Sequence, residues 1–171
     1  MKLKVYIVGP YSGDTYEQID KNISKARQAA IAIWNSGNYA FCPHLNTARF
    51  EDDPECTASY QDFIDGTLSF MYDCHCLYVL SGHEKSKGSA GEIAAAIERG
   101  MPVFYQDKGD FPPSVGQCWY DINGNVFKII DFEINHLKNR NDLFVEGIYQ
   151  DIPGKIFTFV FREFLTFKLV E

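Results

Sequence analysis

The sequence predicts an α/β protein: a Rossmann-like (flavodoxin-like) parallel sheet flanked by helices, followed by a C-terminal antiparallel β-rich extension. Three observations predict it. From Lys4 to Tyr105 short apolar runs alternate with helical patterns at a spacing that builds parallel strands with helices on both faces. The first three runs each end in a glycine-, proline- or serine-marked loop, as expected at the carboxyl ends of buried strands, where such sheets bind ligands. After Phe111-Pro112-Pro113 the composition changes: residues 117 to 171 carry no alanine and many Phe, Ile and Val. We therefore expect an α/β domain over residues 1–113 and a β-rich extension over 114–171.

Lys4-Val5-Tyr6-Ile7-Val8, closed by Gly9-Pro10, reads as the first strand. Thr15 and Gln18 have capping-box spacing, and Ile19, Ile23, Ala26, Ala30 and Ile33 recur at helical period until Gly37. Tyr39 to Cys42 reads as a second strand, stopped by Pro43 and followed by a polar loop from His44 to Thr47. The acidic, proline-broken stretch Glu51 to Glu55 reads as a solvated loop. A helix is expected from Ser59, with Tyr60, Ile64, Leu68 and Met71 on one face. Cys76 to Leu80 is the third strand, Ser81 to Gly88 a glycine-rich loop, Ser89 to Arg99 a helix and Pro102 to Tyr105 the fourth strand. In the extension, Asn123-Gly124 reads as a hairpin turn between Cys118–Tyr120 and 126–130. Asp151-Ile152-Pro153-Gly154 is a second turn, between 144–149 and 156–161. The aromatic run Phe157 to Phe167 needs cover, since an exposed strand of this composition promotes aggregation.

The 171 residues are 46% hydrophobic and 23% charged, with a formal net charge of −7 and no lysine- or arginine-rich block. That balance argues against a protein that binds a nucleic-acid polymer, whose affinity comes largely from neutralised phosphates. No apolar run reaches membrane-spanning length and the N-terminus enters a strand, so a cytoplasmic protein is expected, with no membrane partner. The five cysteines are odd in number and lack a disulfide rhythm; free thiols are the expectation. Cys74-His75-Cys76 would alternate across an extended segment, and no second ligand pair occurs at zinc-site spacing, so no metal is expected.

The loop Ser81-Gly82-His83-Glu84-Lys85-Ser86-Lys87-Gly88, opening a helix, offers backbone N–H groups and a positive dipole end to an anionic ligand. Lys85, Ser86 and Lys87 either bind phosphate there or are solvated. Glu92 admits two readings: half of a capping box with Ser89, or a carboxylate nucleophile or base in the ligand crevice. Asp65 and Asp73 are the candidate second carboxylates that glycosidic cleavage asks for; the residues alone favour a solvated helix-flank carboxylate for each, Asp73 above all. His44 and His83 are possible acid–base groups. Tyr6 and Tyr11 could carry a phenol to the crevice, although Tyr6 could equally be core.

Together these residues form a recognisable set. Val5-Tyr6-Ile7-Val8-Gly9-Pro10, a helix near Asn22, Gly37 before a strand ending in Pro43-His44, Asp65 ahead of Leu77-Tyr78-Val79-Leu80, Gly88-Ser89-Ala90-Gly91-Glu92-Ile93-Ala94-Ala95-Ala96, and Gly100-x-Pro102-Val103 resemble the nucleoside 2-deoxyribosyltransferase family, which includes the related nucleoside 5′-monophosphate N-glycosidases. The likeness covers residues 3 to 106. It implies that Glu92 attacks the anomeric carbon of a deoxyribose, that Asp65 protonates or positions the base, and that Tyr6 orients Glu92. Gly9, Tyr11, His44, Gly82, Ser86, Gly88 and Ser89 are then the candidate contacts to sugar, base or phosphate.

The resemblance further implies a small nucleoside or nucleotide substrate, transfer of the sugar to another base or to water, and a homo-oligomer, since the transferases complete their site from a neighbouring subunit. No metal or organic cofactor is expected, because the leaving base needs only a proton. The sequence departs from the transferase pattern at Glu84-Lys85-Ser86-Lys87-Gly88, where those enzymes often carry an aspartate. Lysines and a serine there would favour a 5′-phosphate.

Overall fold

The computed structural model describes residues 1–135, 142–160 and 168–169. Its contacts divide the chain between Pro112 and Pro113: Lys4–Pro112 is one compact unit, and Met1–Leu3 with Pro113–Glu171 is the other. Among the described residues no helix is long and apolar enough to cross a membrane.

The first unit is a parallel sheet flanked by helices. Strands β1 (Lys4–Val8), β2 (Tyr39–Phe41), β3 (Cys76–Val79) and β4 (Val103–Tyr105) lie in the order β2-β1-β3-β4. All three pairings are parallel, with Val8 opposite Val79 and Tyr6 opposite Phe41 and Leu77. Continuous apolar runs suit this arrangement, because both faces of the inner strands are covered. Val5 to Val8 are each 0% exposed. Tyr6 and Val8 pack in one core with Met71, Leu77, Val79 and Ala96. The chain turns to opposite sides of β1 for β2 and β3, so the switch point of the sheet lies at the carboxyl ends of β1 and β3.

Helix α1 (Tyr16–Asn35) starts where Thr15 accepts from the Gln18 N–H, and it buries Ala26, Ala29, Ala30 and Ile33, one stripe at helical period. It ends on Gly37, left-handed at φ +92°, whose N–H donates to the Trp34 carbonyl while the Asn38 N–H donates to Ile33. The same double closure recurs at Gly100, φ +70°, after α4 (Lys87–Glu98). Both glycines turn a helix back into the next strand. Helix α3 (Tyr60–Tyr72) opens with a reciprocal capping box between Ser59 and Asp62.

The structure differs from expectation in two places near the sheet's carboxyl edge. Residues expected as a polar loop after Pro43 form a short helix, α2 (Pro43–Asn46), for which proline at the first position is preorganised. Helix α4 begins at Lys87 instead of Ser89, because Ser86 serves as its cap.

The second unit is an antiparallel sheet of β5 (Cys118–Tyr120), β6 (Val126–Asn135), β7 (Asp142–Tyr149), β8 (Phe157–Val160) and β9 (Lys168–Leu169), in the order β8-β7-β6-β5-β9. The hairpin turn holds Gly124 at φ +84°, braced by the Asp121 carboxylate accepting from the Asn123 and Asn125 N–H groups. Phe127, fully buried, meets Tyr149 and Phe159 edge-on at 5.2 and 5.4 Å. Of the aromatic run expected to need cover, residues 161–167 lie outside the described residues.

Candidate functional site

A cavity of about 770 Å³ opens at the switch point, lined by the loops after β1, β2 and β3 together with faces of α1, α3 and α4. Close approach of two strands makes its floor. A Cβ on Gly9 would stand 2.8 Å from the Leu80 side chain, so glycine lets the end of β1 lie against the end of β3 without displacing that side chain. Gly82, at φ +90°, turns the chain out of β3.

Glu92 lies in the second turn of α4, beyond reach of the helix's opening N–H groups. Ser86 Oγ accepts from the Ser89 N–H at 3.2 Å, so the Ser89–Glu92 capping box allowed by the sequence does not form. The carboxylate instead accepts a 2.6 Å hydrogen bond from Tyr6 Oη on β1. Tyr6 is 0% exposed, stacked on Phe41 with ring centres 5.7 Å apart. It is both a core residue and Glu92's partner: the ring packs and the hydroxyl reaches the crevice. Burial pushes the Glu92 carboxyl up to about 7, and the Tyr6 hydrogen bond only partly holds it down. Burial, more than the start of the helix, thus sets the charge of this carboxyl near neutral pH. Burial, then the adjacent Glu92 charge, drives the Tyr6 phenol far above its usual range.

His44, on α2, is 5% exposed. Its Nε2 lies 3.1 Å from the Gly9 carbonyl and 3.2 Å from that of Pro10. Both partners are acceptors, so Nε2 carries the proton and Nδ1 is bare; Nδ1 is buried without a hydrogen-bond partner among the described residues. Burial lowers the ring's pKa, so it stays neutral and pins the turn after β1. Tyr11 Oη accepts from the Arg49 N–H at 2.9 Å and donates to Glu51 at 2.7 Å. Asn22 Nδ2 donates to the Tyr11 and Ser12 carbonyls. At the N-terminus of α4, Ser89 Oγ is buried with no hydrogen-bond partner among the described residues, and Lys25, Lys85 and Lys87 line the same cavity.

Of the residues singled out from sequence, Gly9, Tyr11, His44, Gly82, Ser86, Gly88, Ser89 and Glu92 line this cavity, with Tyr6 joined to them through Glu92. Asp65 does not line it. That residue is exposed on α3 and accepts from Gln61 Nε2 at 2.8 Å, while Tyr60, Phe63, Ile64 and Thr67 turn to the cavity. Asp73 is the exposed C-cap of α3. His83 Nδ1 bonds the Leu80 carbonyl at 3.1 Å, outside the lining. In the Cys74–Cys76 segment, His75 Nδ1 accepts from the Lys4 N–H at 2.9 Å, and burial pushes both thiols upward, so neither is disposed to become a thiolate ligand.

Sequence reasoning missed Gln18, Asn22 and Lys25, which line the cavity from α1. Their spacing of four and three residues places them on one helix face, and that polar face was the available signal. It also missed Glu51, whose place in an acidic stretch reads as solvated loop.

A family model described as "Domain of unknown function (DUF7768)" matches residues 3–106. No curated protein matches the chain. Among solved structures, the chain is similar to a 2-deoxyribosyltransferase from the psychrotolerant bacterium Bacillus psychrosaccharolyticus, with 22% identity, coverage of 60% of this chain and 70% of that one, and a TM-score of 0.44. The family match spans the whole parallel sheet and every cavity-lining loop after a strand, and the chain accordingly belongs to the DUF7768 family of domains of unknown function.

Proposed function

We propose that this protein cleaves the N-glycosidic bond of a 2′-deoxynucleoside or its 5′-monophosphate, with Glu92 as the nucleophile. One observation carries the reading: a part-buried carboxylate, held by the phenol of a core tyrosine, faces a cavity large enough to hold a nucleoside at the sheet's switch point. The ionised Glu92 oxygen forms a bond to the anomeric carbon as the carbon–nitrogen bond breaks, and the base leaves with the electron pair and takes up a proton from solvent, which the incoming base or water returns in the second step. A second base or a water then attacks the same carbon and releases Glu92. Two displacements retain the configuration at that carbon. Tyr6 acts as a positioning residue, since its hydrogen bond fixes one carboxylate oxygen and favours the ionised form. Deoxyribosyl transfer to a second base is the first form of the reaction.

Hydrolysis of a 5′-monophosphate is the second, and a separate observation favours it. The N-terminus of α4, the unpartnered Ser89 hydroxyl and Lys25, Lys85 and Lys87 all border the cavity, a donor set suited to a phosphate. A non-catalytic nucleotide-binding protein would use the same donors and leave Glu92 idle.

The test incubates the protein and Glu92→Gln with 2′-deoxynucleosides and their 5′-monophosphates, with and without a second free base. Base exchange identifies a transferase; free base with free sugar or sugar phosphate identifies a hydrolase. The variant is expected to lose about a thousandfold or more in rate. A wild-type protein that binds these ligands yet leaves them intact would make the non-catalytic reading correct.

A further inference from the structure

We propose that Glu51 reads the nucleobase, and that it selects bases carrying an exocyclic amino group over those carrying a carbonyl at the same position. The inference rests on the glycosidic reading above for the identity of the ligand. Arg49 has a left-handed φ of +63°, the one such non-glycine residue among those described. Its side chain fixes that turn. The guanidinium donates to Asp20 at 2.6 Å, to Asp52 at 3.2 Å and to the Tyr16 carbonyl at 3.1 Å, and lies 4.6 Å from the Tyr16 ring centre. A strained residue held from several sides is a feature of ligand clamps.

The consequence falls on Tyr11 and Glu51. The Arg49 N–H donates to Tyr11 Oη, so the phenol's single proton is committed to Glu51 Oε1, 2.7 Å away. Glu51 is thereby held as an acceptor. Its second oxygen takes no hydrogen bond among the described residues, and the residue lines the cavity.

The rest of the lining decides which part of a ligand meets it. The cations Lys85 and Lys87 come with the start of α4, and the nucleophile lies further along the same helix. Tyr60 and Phe63, from the start of α3, bring aromatic rings to the lining, a residue type on which bases stack. On this reading the anionic end and the anomeric carbon take the part of the cavity lined by Lys85, Lys87 and Glu92, and the base takes the part lined by Tyr11 and Glu51. A carboxylate oxygen accepts from an amino group, as on cytosine or adenine, and repels the carbonyl oxygen of uracil or hypoxanthine.

The experiment measures kcat and KM for 2′-deoxycytidine against 2′-deoxyuridine and for 2′-deoxyadenosine against 2′-deoxyinosine, using the 5′-monophosphates if only these react. Calorimetric binding of the same pairs is run on every protein. Wild type should favour each amino member by about tenfold or more. Glu51→Gln still accepts the Tyr11 proton but adds an N–H donor, so it should cut that ratio at least about tenfold, chiefly through KM. Tyr11→Phe should shift the ratio in the same direction by less. A ratio within about twofold of wild type in a Glu51→Gln protein of unchanged melting temperature would overturn the inference. So would a wild type that binds none of the pairs. Binding that discriminates amino from carbonyl without any turnover would uphold the role of Glu51 while defeating the glycosidic reading.

Discussion

Between pH 4.5 and 7 the folded protein keeps on Glu92 a proton that the unfolded chain has released, because burial raises the carboxyl from 4.5 to about 7. In that window the native state binds more protons, so stability falls as pH rises, by on the order of 2–3 kcal/mol once partial exposure is allowed for. Glu92→Gln removes the charge and can still accept from Tyr6. The variant should match wild type at pH 4 and be more stable by about 1–3 kcal/mol at pH 8, as read from urea unfolding at the two pH values. Equal stabilities at pH 8 would mean that the carboxylate is solvated. Activity runs the opposite way, since attack needs the ionised form, and the rate should climb through an apparent pKa of about 7. Tyr6→Phe deletes the one interaction that lowers that value. Its ascending limb should move to higher pH, with loss at pH 7 partly recovered near pH 9; a limb that stays in place would remove Tyr6 from the role of positioning residue.

Helix phase decides which carboxylate reaches the cavity. The Ser59–Asp62 capping box sets the start of α3, and Tyr60, Phe63, Ile64 and Thr67 then share one face at i, i+3, i+4 and i+7. Asp65 falls about 100° around from Ile64 and bonds Gln61 instead. Asp65→Asn is therefore expected to keep kcat/KM within about threefold of wild type; a loss of two orders of magnitude would return Asp65 to the reaction, and with it a different setting of α3. The elements themselves are legible in the sequence because their signals are local. Thr15, Ser59, Gly37 and Gly100 punctuate the helices, and the turns at Asn123-Gly124 and Pro153-Gly154 separate β5 from β6 and β7 from β8. Competition between neighbouring caps is not legible in the same way. Ser86 and Ser89 both suit the start of α4, and choosing Ser86 moves Glu92 from a capping position to one where Tyr6 donates to it. Glu51 is illegible for another reason: its partner is 40 residues away, and a hydrogen bond at that separation leaves no periodic trace.

At the scale of the whole molecule, charge sets a problem that the cavity has to answer. The chain carries a formal net charge of −7, so its long-range field repels an anionic substrate. Against that field Lys25, Lys85 and Lys87, all three exposed, line the cavity alongside the carboxylates of Asp14, Glu51 and Glu92. Exposed charges attract over about one Debye length, roughly 10 Å at 0.1 M salt, so their contribution depends on ionic strength. The neutral deoxyribose and base do not share that dependence. If the α4 end holds a 5′-phosphate, kcat/KM for a 2′-deoxynucleoside 5′-monophosphate should fall about three- to tenfold between roughly 20 and 300 mM sodium chloride, while the value for the unphosphorylated nucleoside changes less than about twofold. Lys85→Ala combined with Lys87→Ala should flatten the first slope towards the second. Equal slopes for both substrates in the wild type would instead mean that the lysines serve solubility and that the transferred sugar carries no phosphate, leaving base exchange as the form of the reaction to pursue.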